Sequence, residues 1–241
     1  MALERIQRRS LPGEVYDQLL RELVDGGYPA GQPLPSERRL AEALGVSRPA
    51  VREALQRMSH AGLVDVRQGG ATTVTDFRRS GGLDLLPHLL LPGGGIDLAV
   101  ARSILEARLA IGPKVAELAA TRGGPTAADV LDRAVAELAA DTDPVGRQRR
   151  ALVFWEHVVE AADSIAFRLM FNSLRAAYEP ALPALATVMA AEVDRIGDYR
   201  ALTAAVVAAR PDDAHRLAHD LLGNATRELL HAIDTLDGDR P

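Results

Sequence analysis

Three groups of residues in this 241-residue chain have types and spacings that can do chemistry. In the run Ser47-Arg48-Pro49-Ala50-Val51-Arg52, two arginines stand four residues apart, one helical turn, behind a hydroxyl able to cap the helix. A guanidinium is a planar fork of donors that matches O6 and N7 of guanine, so such a pair near a helix N-terminus suits the DNA major groove. A solvated basic face is the rival reading. The second group is Arg108, whose neighbours three and four residues away are Ile104, Leu105, Ile111 and Gly112. Its stem leaves from an apolar face and its charge requires an anion. A ligand carboxylate or phosphate would meet that requirement, and a structural glutamate from the next helix would meet it equally. The third is His215 and His219, one turn apart and able to chelate a metal, with only Asp212 near the same face. Two surface histidines on one helix is the simpler reading.

Nothing else in the sequence reads as catalytic machinery. There is no cysteine, no nucleophile-elbow glycine pattern and no phosphate loop, and the histidines do not align with a serine at readable spacing. The expectation is a protein that is not an enzyme. No run approaches the roughly 18 apolar residues of a spanning helix, and the start, MALERIQRRS, lacks the apolar segment of a secretion signal, so a cytoplasmic protein is expected. The net charge of −5 is unevenly spread. Residues 1–79 hold 12 basic against 10 acidic residues, a balance of +2, and the rest hold 16 against 23, a balance of −7. Two halves with different electrostatic roles follow. Lys114 is the only lysine, a skew that runs through both halves and is read as genome composition rather than as phosphate recognition.

The elements that must position these residues can be traced along the chain. A helix is expected from about Pro12 to Asp25, with Val15, Leu19, Leu20 and Leu23 inward, ending at Gly26-Gly27. Ser36 caps a second helix that Gly45 terminates, and Ser47 caps a third that ends at Gly62. The tight connection at Gly45-Val46 makes these a helix-turn-helix. Val64 and Val66 alternate with polar residues, Gln68-Gly69-Gly70 turns, and residues 72–75 resume an extended pattern, forming a hairpin wing. Arg38, at the start of the second helix, is placed to grip the DNA backbone or a base edge. Arg67, Gln68 and Gly69 are placed for a minor-groove or phosphate contact, with a plain hairpin turn as the rival reading. FRRSGGLDLLPHLLLPGGG then reads as a linker with a short helix. Amphipathic patterns follow at about 96–122, 126–141, 145–162, 165–179, 183–209 with a break, and 211–236. The fold class is therefore mainly α. An N-terminal winged helix-turn-helix with a two-stranded wing (1–76) and a linker (77–95) precede a C-terminal all-α helical bundle (96–241) for effector binding and dimerisation.

Residues 12–76, with LPSERRLAEALGVSRPAVREALQRMSHAGLVDVRQGG inside them, resemble the winged-helix domain of the GntR family of bacterial transcription regulators. PSER, then LGVSR followed by VREAL, then the GL that leads into the wing carry the likeness. It implies a regulator that binds a double-stranded operator, with Arg38, Arg48 and Arg52 on DNA and Gln68 and Gly69 at the wing tip. Ser47 belongs to the same segment. A homodimer on a short inverted repeat is expected, because one recognition helix contacts too few bases for useful specificity. Pro49 and Ala50 carry no hydroxyl for the phosphate contacts that polar residues make there in some members.

The segment EARLAIGPKVAELAATR, residues 106–122, resembles the first long effector helix of the FadR group of that family. Most members of the group hold a divalent metal with an Asp and a His four residues apart and two later histidines. Aligning on AADS (161–164) puts Ala151 and Trp155 at the first pair, Tyr199 near the second histidine position and Leu221 or Leu222 near the third. His157 is two residues from the needed position, about 200° around a helix. No metal and no other cofactor is expected. The chain is more similar to the metal-free, fatty-acid-responsive branch, through RRSGGLDLL and SIAFRLMFNSLRAAY (164–178), with Asn172, Tyr178 and an aromatic at Trp155. That likeness implies a long-chain acyl-CoA inside the bundle, touching Arg108, Trp155, Tyr178, Leu185, Gly223 and Thr226, and a role in fatty-acid metabolism. A small carboxylate effector, or an effector-free architectural DNA-binding protein, are the alternatives. Independently of the family, Phe167, Phe171, Leu174 and Tyr178 form one helical stripe that can be core or pocket wall.

Overall fold

The computed structural model describes residues 11–66, 70–92, 95–185 and 190–238, with the backbone alone at 184, 185, 191 and 232–238. Two compact units divide the chain, Met1–Gly95 and Ile96–Pro241. The architecture is mainly α, with a winged helix-turn-helix first and an all-α bundle second.

In the first unit, α1 (Leu11–Val24) buries Val15, Tyr16, Leu19, Leu20 and Leu23, the stripe that its spacing dictates. Helix α2 (Glu37–Leu44) starts where the Ser36 hydroxyl accepts a hydrogen bond from the Arg39 amide and stops at Gly45, whose φ of 65° costs a glycine little. Helix α3 (Arg48–His60) starts the same way, Ser47 Oγ accepting from the Ala50 amide at 3.4 Å, and packs Val51, Ala54, Leu55 and Met58 into the core. It ends two residues earlier than its stop signal at Gly62 suggests. Strands β1 (Val64–Asp65) and β2 (Thr73–Val74) pair antiparallel with Val64 opposite Val74, both buried. Val66, expected to alternate inward, lies beyond β1 and is exposed.

Gly62 fixes how the wing leaves α3. Its φ is +71°, and a Cβ there would stand 2.4 Å from the Ser80 carbonyl oxygen. Its own carbonyl accepts from the hydroxyls of both Thr75 and Ser80. The Ser80 end of this joint belongs to α4 (Phe77–Ser80), which is followed by a 3₁₀ turn (Leu83–Leu85) and α5 (Leu86–Leu90). This stretch, read from sequence as a linker, packs into the first unit. Leu85 joins its core, and the His88 ring meets the Tyr16 ring edge-on at 5.7 Å. Of the leucines of LDLLPHLLL, Leu85 and Leu90 are buried, Leu85 against the core that α1 helps to form, while Leu83 stays exposed.

The second unit is a bundle of α6 (Leu98–Arg122), α7 (Ala128–Ala140), α8 (Pro144–Ala161), α9 (Ile165–Tyr178), α12 (Ile196–Val207) and α13 (Pro211–Gly238). Between α9 and α12 lie two single turns, α10 (Leu182–Leu185) and α11 (Ala190–Val193), where the sequence suggested one interrupted helix. Asp97 caps α6 by accepting from the Ala99 and Val100 amides, and Asp143 caps α8 ahead of Pro144. The core is alanine-rich. Ala116, Ala119 and Ala120 of α6 and Ala214 and Ala218 of α13 are fully buried, and small side chains let backbones approach closely. Larger groups fill the other side, where the Phe154 ring sits edge-on to Tyr199 at 4.9 Å and to Trp155 at 5.8 Å. None of the described helices is long and apolar enough to cross a membrane.

Candidate functional site

Two sites emerge, one in each unit. On the first, Arg48 and Arg52 project from the N-terminal half of α3 with side chains 60% and 59% exposed, on a face that flanks the buried stripe of Val51, Ala54 and Met58. Both are tethered to one carboxylate that the sequence did not single out. Arg52 donates from Nε and Nη2 to the two oxygens of Glu37 at 3.1 and 2.9 Å, and Arg48 Nη2 lies 3.9 Å from the same group. The hydrogen bond from Arg52 holds the Glu37 carboxyl below the usual carboxylate range, and Glu37 in turn raises Arg52. Arg38 is equally exposed and pairs with Glu42 at 2.7 Å. The Ser47 hydroxyl is engaged as the α3 cap, so its place beside these arginines is structural in this state. Arg67, Gln68 and Gly69 lie outside the described residues. The signal for Glu37 was present in PSER: the first acidic residue of α2 stands across the tight turn from α3.

In the second unit a cavity of about 120 Å³ lies among α6, α8, α9, α11 and α13. Helix α9 gives it Phe167, Phe171, Leu174 and Tyr178, so the stripe is a pocket wall. Only Ala177 of α9 is fully buried, and Phe167 and Phe171 are partly buried, touching the bundle core along one edge while bordering the cavity. From α6 come Ile104, Arg108 and Ile111, from α8 Gln148, Ala151 and Trp155, and from α13 Leu222. Gly223 and Thr226, expected at the ligand, are not among the lining residues. Thr226 is buried with its hydroxyl unpartnered, and Gly223 faces Leu109 and His219. The Leu185 side chain lies outside the described residues.

The polar end of the cavity answers the question that Arg108 raised. Its Nη2 donates to Glu192 Oε1 at 2.6 Å, and the same oxygen accepts from the Tyr199 hydroxyl at 3.0 Å. The counter-ion is thus a structural glutamate, though from α11 rather than from the next helix. Burial opposes the charge on Arg108, but attraction to Glu192 and their hydrogen bond outweigh it and hold the guanidinium more firmly protonated than usual. Burial also pushes the phenols of Tyr178 and Tyr199 above their ordinary range. Arg147 of α8 fastens α11, donating to Asp194 at 2.5 Å and to the Val193 carbonyl at 2.6 Å, which fixes Glu192 between them and α6. Tyr178 donates to Gln148 at 2.8 Å. A charged residue in the Ala-Ala-Glu-Val run was the only trace of this pair in the sequence.

No group of three or more potential metal ligands occurs among the described residues. His215 lies 3.3 Å from Glu117, His219 3.8 Å from Asp220, and His157 4.0 Å from Glu160. Ala151 and Trp155 carry apolar surface into the cavity.

Residues 11–74 match the family described as bacterial regulatory proteins, gntR family, and residues 103–224 match the FCD domain, which alone spans half of the chain. The chain belongs to the GntR family. Among GntR relatives, the HTH-type transcriptional regulator Mce2R of Mycobacterium tuberculosis is 55% identical over 233 residues, 97% of each chain. The fatty acid metabolism regulator protein of Vibrio cholerae is 32% identical over 108 residues, 45% of this chain and 39% of that one. The solved structure of Lar of Listeria monocytogenes covers 93% of this chain and 99% of its own at a TM-score of 0.61 and 14% identity, a likeness of fold. As a GntR-family member with an FCD domain, the protein is a transcription regulator.

Proposed function

We propose that this regulator binds a short inverted-repeat operator as a homodimer through α3 and the wing, and that a small molecule held in the α6/α8/α9 cavity controls that binding. One observation carries the effector half of this reading: an amphipathic helix, α9, turns four large apolar side chains toward a cavity that also holds a buried polar end. An apolar body with one polar group fits such a lining. The effector put forward is an acyl compound, with long-chain acyl-CoA as its extended form. A cavity of about 120 Å³ is close in size to one that holds a benzene, so a long chain enters only as α9 moves outward. In this reading α9 moves by releasing its partly buried Phe167 and Phe171 and the Arg175–Glu156 pair that ties it to α8.

The experiment selects a binding sequence for the purified protein from random DNA, then titrates the complex with oleoyl-CoA and with acetyl-CoA. Oleoyl-CoA is expected to change operator affinity and acetyl-CoA to leave it unaltered. A switch from mostly bound to mostly free needs on the order of 5 kcal/mol of differential affinity between the two states. Equal response to both, or to neither, overturns the acyl-CoA reading. Metal plays no part in this scheme, so a chelator is expected to leave operator affinity and melting temperature unchanged.

A further inference from the structure

The polar end of the cavity is already electrically complete. Arg108 has its anion in Glu192, a residue only 1% exposed, and Tyr199 holds that same carboxylate oxygen from the other side. An incoming carboxylate would therefore find no unpaired cation there and would stand beside the buried charge of Glu192. What is left over is hydrogen-bonding capacity. Among the residues lining the cavity, Arg108 Nη1 and Trp155 Nε1 are buried donors without an acceptor, and Glu192 Oε2 is a buried acceptor without a donor. Buried polar atoms gain most from a partner, so these three define what a ligand head should offer.

We propose that the cavity selects ligands whose polar head is uncharged and both accepts and donates hydrogen bonds, such as a primary amide or an alcohol, and discriminates against free carboxylates. The head's oxygen would accept from Arg108 Nη1 or Trp155 Nε1, and its N–H or O–H would donate to Glu192 Oε2. Glu192 is then the residue that sets ligand charge: it turns what would be an anion site into a neutral one. This rests on the cavity being the effector site, and among acyl compounds it favours those with an amide or hydroxyl head over a thioester, which has no proton to give Glu192 Oε2.

Trp155 is the chain's single tryptophan and lines the cavity, so its fluorescence reports on occupancy. The full-length protein is titrated at pH 7.5 with hexanamide and with hexanoate, two short ligands of matched shape that differ in charge, and each isotherm is repeated by calorimetry. Hexanamide is expected to bind about tenfold or more tightly than hexanoate. E192Q, which removes the counter-ion and leaves the Arg108 charge unmatched, is expected to reverse that order, and an E192Q protein that keeps the amide preference overturns the role given to Glu192. Should E192Q prove unfolded by circular dichroism, the wild-type pair decides alone. Tighter or equal binding of hexanoate by the wild type overturns the proposal while leaving the cavity as a ligand site. Absence of binding by both overturns the proposal and the effector site together.

Discussion

Arg48 and Arg52 share one acidic tether, and that governs what each substitution does. If α3 reads bases as proposed, removing either guanidinium takes away one fork, so Arg48→Ala and Arg52→Ala are each expected to weaken binding to a selected operator about tenfold or more and to relax preference at one base pair per half-site. Fluorescence anisotropy on the selected sequence and on single-base variants measures both. Glu37→Gln is expected to act in the other direction. The carboxylate engages Arg52 through two bonds, and on the proposed docking of α3 it would stand near DNA phosphates and repel them. Its loss should raise affinity for random-sequence DNA severalfold and lower the ratio of specific to non-specific binding. An unchanged ratio would mean that the tether has no part in selectivity. Sequence reading found the arginines because spacing and residue type carry that signal, and it passed over Glu37 because an acid at the start of a helix is also the ordinary choice for the helix dipole.

Elements differ in how firmly they are held, and two contrasts measure this. Gly62 and Gly31 both have positive φ, +71° and +85°, but a Cβ at Gly31 meets nothing within 4 Å whereas one at Gly62 collides with the Ser80 carbonyl at 2.4 Å. Gly31→Ala is expected to cost about 1 kcal/mol from backbone strain alone, and Gly62→Ala about 2 kcal/mol or more, since the α3-to-wing joint must also open. Denaturation of the full chain followed by circular dichroism compares them. In the bundle, Leu202 of α12 is fully buried while Leu174 of α9 borders the cavity. Leu202→Ala should cost about 2 to 5 kcal/mol and Leu174→Ala about 1, because the second deletion enlarges an existing space rather than creating one. Equal costs would show that α9 is packed like the core. The limits of α2 and the start of α3 were legible from caps and a glycine stop, and those of α6 to α8 to within two residues from their amphipathic patterns. The short turns after α9 were less so, because EPALPAL continues a helical composition while its prolines interrupt the hydrogen-bond ladder.

At the scale of the whole molecule, electrostatics sets two dependences. Tyr178 and Tyr199 are phenols whose folded-state pKa lies above the usual value near 10, chiefly through burial. Between the unfolded and folded values the folded chain keeps protons that the unfolded chain releases, so this contribution to stability is complete below about pH 10 and is lost as pH rises beyond it. Urea midpoints measured from pH 8 to 11 should fall over the upper part of that range, and a Tyr178→Phe, Tyr199→Phe double variant should fall less steeply. DNA affinity should decline linearly in logarithm with the logarithm of salt concentration, as release of counterions from neutralised phosphates requires. A flat response would remove the backbone contacts on which operator binding depends.

The amino-acid order by itself determined the winged helix-turn-helix, the bundle and the outward face of α3, because these follow from local rules: caps at Ser36 and Ser47, a left-handed stop at Gly45, and apolar residues repeating at helical spacing. It also showed that Arg108 needed an anion, since its stem rises from an apolar stripe. Which anion was left to the tertiary structure. Glu192 lies 84 residues away and reaches Arg108 only because Arg147 fastens a single turn of helix across the bundle. The stripe on α9 likewise reads the same whether it meets side chains or a void, and only the positions of α6, α8 and α13 make it the wall of a cavity. Periodicity fixes which residues share a face; what that face meets depends on contacts between segments far apart in sequence, on which local pattern is silent.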